Sequence, residues 1–179
     1  AGWALASTGA NALGAFFVLG AVHSGFSHVD AAMLAVAGSF TSMVVRIGVG
    51  FLADHWSGNG LGVVAVMNAV GGVGIALLAT ESAPAFALVT LTGYGIGWGW
   101  AGLFNYAVVR THPAQPGRAT GLTHAAASAG ACAGPLAFGV LAAEAGYPLA
   151  WAVSGATLLL AVGLIMAGRR MLPQPRAFV

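Results

Sequence analysis

The sequence predicts an all-α fold, a polytopic membrane bundle of six transmembrane helices. Three observations carry that prediction. Only 6% of the 179 residues are charged and 59% are hydrophobic, whereas a soluble domain carries about 25% charged residues. The few charges stand between long uncharged stretches, each near the roughly 20 residues needed to cross a ~30 Å hydrocarbon core. Every arginine, finally, falls on or next to one side of the resulting up-and-down path.

The first span, about 3–23, carries Asn11 at mid-depth. The second, about 31–53, is the one span with a full charge, Arg46. The third, about 61–80, holds Gly71, Gly72 and Gly74, with Asn68 read as a structural amide. The fourth, about 84–109, contains GYGIGWGWAG, which sets Gly93 and Gly97 on one face and Gly95 and Gly99 on a nearly opposite one. A helix of that kind is approached closely from two sides. The fifth, about 119–143, pairs Gly130 with Gly134 four residues on, just before Pro135, the one proline inside a span. The sixth, about 148–168, completes a membrane domain over 1–171, followed by a tail at 172–179. Transmembrane strands are excluded, because barrel strands alternate over ~10 residues and these runs are apolar throughout.

Orientation follows from charge. The first, third and fifth loops contain Asp30, Glu81 and Glu144 and no Lys or Arg. Arg110 and Arg118 fall in the fourth loop, Arg169, Arg170 and Arg176 after the last span, and Arg46 just before the second loop. The positive-inside rule makes that side cytoplasmic, with both termini inside a bacterial inner membrane. The missing initiator Met and leader suggest a fragment or an excised half. Trp3, Trp56 and Trp151 lie near span ends and read as interfacial anchors.

Composition also removes function classes. The net charge is +2, with no basic arm or patch, so no nucleic-acid partner is expected. The single cysteine, Cys132, forms no internal disulfide and reads as a small packing residue. His23, His28, His55 and His112 lack metal-ligand spacing on any one helix, so neither a metal nor another cofactor is expected. Gly97 to Gly102 matches the dinucleotide pattern G-x-G-x-x-G, but no strand precedes it and no acid follows about 20 residues on.

Arg46, Gly50 and Asp54 are spaced four apart, one gently drifting stripe on a helix. At ~1.5 Å rise per residue, Arg46 lies about 12 Å deeper than Asp54. An arginine at that depth snorkels, pairs or faces a protein-lined cavity. Gly50 leaves room for a neighbouring helix to close on the stripe.

RIGVGFLAD resembles the loop signature R-x-x-x-G-x-L-A-D-R-x-G-R of the major facilitator superfamily. Gly50, Leu52, Ala53 and Asp54 match, while His55 replaces the usual base and the later basic residues are absent. The pieces GWGWAGLFN, PGRATGL and GPLAFG are similar to the tenth and eleventh spans of bacterial members, in the expected order. The resemblance covers nearly the whole chain. It implies the C-terminal six-helix half of such a transporter, two inverted three-helix repeats, with an N-terminal half preceding it. It further implies alternating access for a small-molecule substrate, with Arg46, Gly50 and Asp54 as a cytoplasmic gate.

The resemblance also implies a central cavity lined by the first, second, fourth and fifth spans. Its polar candidates are Asn11, Trp98, Asn105, Thr123, His124 and Ser128, each of which taken alone reads first as a helix–helix hydrogen bond. Imidazole is the side chain that ordinarily titrates near neutrality, which makes His124 the candidate for proton coupling. A rhomboid-like protease is excluded, since Ser128 lacks the preceding glycine and His124 sits on the same helix. The remaining rival is a non-transporting or homodimerising six-span membrane protein.

Overall fold

A computed structural model describes residues 1–55 and 60–171, Asp54 by its backbone alone. Trp56 and the tail at 172–179 lie outside the described residues. The described chain is helical, with no strand among those residues. Helix α1 spans Gly2–His23, α2 His28–Asp54 and α3 Leu61–Leu77, which a 3-10 turn extends to Thr80. The fourth apolar stretch is segmented. It runs as α4 (Ala83–Val89), a π-helical stretch (Thr90–Ile96), α5 (Gly97–Gly99) and α6 (Ala101–Thr111). Helices α7 (Pro116–Ala145) and α8 (Tyr147–Met171) follow. Five helical stretches are long and apolar enough to cross a membrane, namely α1, α2, α3 with its 3-10 turn, α7 and α8. They mark the chain as an integral membrane protein.

Local chemistry sets the turns. Gly25 takes φ 97° and Gly146 φ 85°, backbone that a side chain resists. Ser27 caps α2, its Oγ accepting from the Asp30 N–H at 3.1 Å and donating to Asp30 Oδ2 at 2.7 Å. Glu81 adopts φ 52° between α3 and α4, and its Oε1 lies 3.7 Å from His23 Nε2. The His23 ring stacks on Tyr147 at 4.6 Å, so three turns meet at one end of the bundle.

The opposite end carries the bases. Arg110 lies in the last turn of α6, Arg118 in the first turns of α7, and Arg169 and Arg170 in the last turn of α8. Cations at helix C-termini are favourable against the helix dipole. Arg169 reaches Gly62 at the start of α3, which fixes those helix ends side by side.

Packing joins helices distant in sequence, with α1, α2 and α3 as one triplet and the fourth stretch, α7 and α8 as another. The first helix, α1, packs on α7, and the fourth stretch packs on α2. Helix α3 packs on α8. The crossings rest on glycine. A β-carbon on Gly130 or Gly134 would collide with the backbone of Ala4 or Thr8 of α1. Gly71 meets Gly97 backbone to backbone, and a β-carbon on Gly72 would stand 2.9 Å from the Gly155 carbonyl oxygen. Within the fourth span Gly95 and Gly99 face Thr41 and Val45 of α2, while Gly97 faces α3. Helix α7 runs unbroken through Pro135.

Three expectations change. Trp3 and Trp151 are 6% and 0% exposed, so they are core residues rather than interfacial anchors. Gly20 provides the space, since a β-carbon there would stand 2.8 Å from the Trp151 ring. Cys132 is exposed on α7 instead of packed. No atom of the described residues approaches where a Gly50 β-carbon would be, so among them no helix closes on the stripe there. The inward face of α2 runs through Ala31, Gly38, Ser42 and Ala53, and Gly50 lies to one side of it.

This packing makes Gly134 and Gly50 opposite cases. Gly134→Val should force α1 from α7, cost about 1–3 kcal/mol by overpacking and lower the thermal midpoint in detergent by several degrees. Gly50→Ala, facing open space, should leave that midpoint in place.

Candidate functional site

The residues that build the site come from α2 and the fourth span. Ser39, Ser42 and Arg46 recur at three- and four-residue spacing, so they share one face of α2. Across from them stand Tyr94, in the π-helical stretch, and Trp98, in α5, with ring centroids 5.4 Å apart. The π geometry is marked by the Gly97 N–H donating to the Thr92 carbonyl five residues back. Glycines hold the two rings in place. Trp98 lies directly on the α-carbon of Gly14 in α1, and a β-carbon at Gly38 would stand 2.8 Å from Tyr94 Cγ.

Between these groups is an open concavity of two lobes that share Ser39, Met43, Tyr94 and Trp98. The polar lobe, about 340 Å3, holds Arg46 and Ser42. The apolar lobe, about 580 Å3, runs past Gly14, Val18, Val36 and Phe40. Both volumes fall within the range of small-molecule sites, roughly 300–1,000 Å3.

Arg46 is exposed, and its Nη2 donates to the Trp98 carbonyl oxygen at 3.1 Å. A guanidinium carries five N–H donors, so this bond leaves most of them for another acceptor. Among the described residues Arg46 makes no ion pair. The side chain of Asp54, the other charge of the gating stripe, lies outside the described residues.

The chain matches no known family profile and no curated protein.

Of the candidates named from sequence, Trp98 lines both lobes, and Arg46 lines the polar one. The other candidates with described side chains are not among the lining residues. The Asn11 amide donates within its own helix to the Ser7 carbonyl at 2.9 Å. The Thr123 hydroxyl donates to the Ala119 and Thr120 carbonyls at 3.1 and 2.9 Å. Asn105 is half-buried, and its Oδ1 is buried without a hydrogen-bond partner. His124 is exposed, its ring 4.9 Å from that of Trp3, and Ser128 is exposed one turn further along α7. Gly130 and Gly134 are packing residues against α1. Among the described residues no three His, Cys, Asp or Glu side chains gather as metal ligands.

The residues that sequence reasoning passed over are Ser39, Ser42 and Tyr94. Their signal was legible, since both serines precede Arg46 at helical spacing and Tyr94 precedes Trp98 by four. Amides and imidazoles drew the attention, because a lone hydroxyl in a helix often bonds its own backbone.

A water-filled concavity should admit charged reagents. In a Cys132→Ser background, Ser39→Cys should react with a charged, water-soluble thiol reagent about tenfold faster than Val73→Cys, because bilayer hydrocarbon excludes water. Both positions are exposed on the isolated chain, so the ratio reports water and not mere exposure.

Proposed function

We propose that this chain is the C-terminal half of a major facilitator superfamily transporter, and that its solute is a small organic anion held by Arg46. The exchange of helix partners supports the first part. The first helix of each triplet packs on the second helix of the other, and the third helices pack together. That is the pattern expected of two inverted three-helix repeats. Long apolar faces also stand unpartnered on α2, through Val36, Phe40, Ile47 and Phe51, and on α7, through Leu122, Leu136 and Val140. In this reading the half that precedes the chain covers part of those faces and closes the concavity. Both termini are then cytoplasmic, in the inner membrane of a bacterium, and Asp54 belongs to the gate at that side.

One observation carries the choice of solute. Arg46 opens into a concavity with two serines and two aromatic rings, and its hydrogen-bond partner is an uncharged carbonyl. A charge within the membrane is expensive and is kept where it faces a pathway or a ligand. A guanidinium grips a carboxylate through two parallel hydrogen bonds, and the Ser42 hydroxyl offers a further donor. Alternating access then follows from rocking of the two halves about the bound anion.

The test uses proteoliposomes holding the chain together with the half proposed to precede it. Arg46→Gln should reduce carboxylate uptake at least about tenfold, the loss of one charge-assisted hydrogen bond, while insertion stays normal. Arg46→Lys should restore uptake in part, since an ammonium keeps the charge but not the planar fork. Undiminished uptake by Arg46→Gln would refute the assignment.

A further inference from the structure

We infer that the apolar lobe is a tail subsite, so that the anion is amphipathic: a carboxylate carrying an aliphatic or aryl body, with Gly14 setting how long that body is. This rests on the reading of Arg46 as the partner of the carboxylate.

The two lobes differ in chemistry while sharing a floor. At one end Arg46 and Ser42 present donors. At the other Val18, Val36 and Phe40 present hydrocarbon, and no charged side chain lines that lobe. Tyr94 and Trp98 form the continuous surface between them. A small inorganic anion or a bare acetate would occupy only part of the polar lobe and leave the larger apolar one to water. A solute with a charged head and an apolar tail occupies both and buries the aromatic faces.

Gly14 is the size determinant because of what it does not carry. The six-membered ring of Trp98 rests on its α-carbon, and any β-carbon there would overlap that ring. A side chain at position 14 therefore drives the indole into the apolar lobe and shortens it. Val36, on the opposite wall, is 64% exposed, so a larger residue fits there without disturbing the core.

The experiment is calorimetric titration of the chain, together with the half proposed to precede it, in lipid nanodiscs with acetate, butanoate, hexanoate and octanoate. Each added methylene should tighten binding about fourfold, with a binding heat capacity that grows more negative along the series. Gly14→Val, and independently Val36→Trp, should reduce the octanoate-to-butanoate affinity ratio at least about tenfold, the worth of the methylenes that no longer fit. Arg46→Gln should remove the specific binding of every acid, which separates the site from partition into lipid. Butanoate bound equally well by Arg46→Gln would overturn the carboxylate reading of Arg46. Butanoate bound through Arg46 with no gain from chain length, or a length series untouched by both lobe variants, would overturn the tail subsite alone.

Discussion

Close approach of helix backbones is the constraint on which the rest of this structure depends. In lipid there is little hydrophobic drive between helices, and contact energy comes from van der Waals packing. Such packing is strong only where the axes come near. Gly130 and Gly134 bring α7 onto the carbonyls of Ala4 and Thr8, and Gly72 with Gly155 does the same for α3 and α8. The central contact of the fourth span is Gly71 against Gly97. Large side chains fill what these crossings leave. Trp151, Phe17, Phe86 and Phe138 pack at the end where α1 turns into α2, and Trp3, Trp100 and Leu103 at the other.

The same economy of side chains builds the concavity. The fourth stretch lies against α3 at Gly97 and carries a π-helical stretch over Thr90–Ile96. π-Helical insertions are rare and recur at functional sites. Here the insertion presents Tyr94, with Trp98 just beyond it, toward α1 and α2. Gly14 and Gly38 then let those rings lie flat against their neighbours. Packing and site are one arrangement, for the glycines that draw the helices together also leave room for the aromatic floor.

Much of the helical architecture was legible in the sequence, because uncharged runs of membrane length are a physical requirement of crossing lipid. Asp30 and Glu81 stand at one end of the bundle, and Arg110, Arg118, Arg169 and Arg170 at the other. The opposed glycine faces of the fourth span were legible too, since four-residue spacing is helix geometry. Its segmentation was not. No proline or charge interrupts residues 85–109, so nothing in the sequence marks the wider turn at Tyr94. The tryptophans misled for a related reason. Position near a span end makes Trp3 and Trp151 look interfacial, but burial is decided by the small residues facing them, such as Gly20. In the site, sequence reasoning placed Trp98 among the cavity candidates and Arg46 in the gate, and passed over the serines that share the arginine's face.

The hydrogen bond from Arg46 ends on a main-chain oxygen, not on a side chain. Every residue type offers that same acceptor at position 98. The anchor for the cation is thus independent of the indole beside it, and the two can diverge separately. A lineage could exchange the tryptophan for a smaller or more polar neighbour, and so reshape the concavity, while the guanidinium stayed moored where it is.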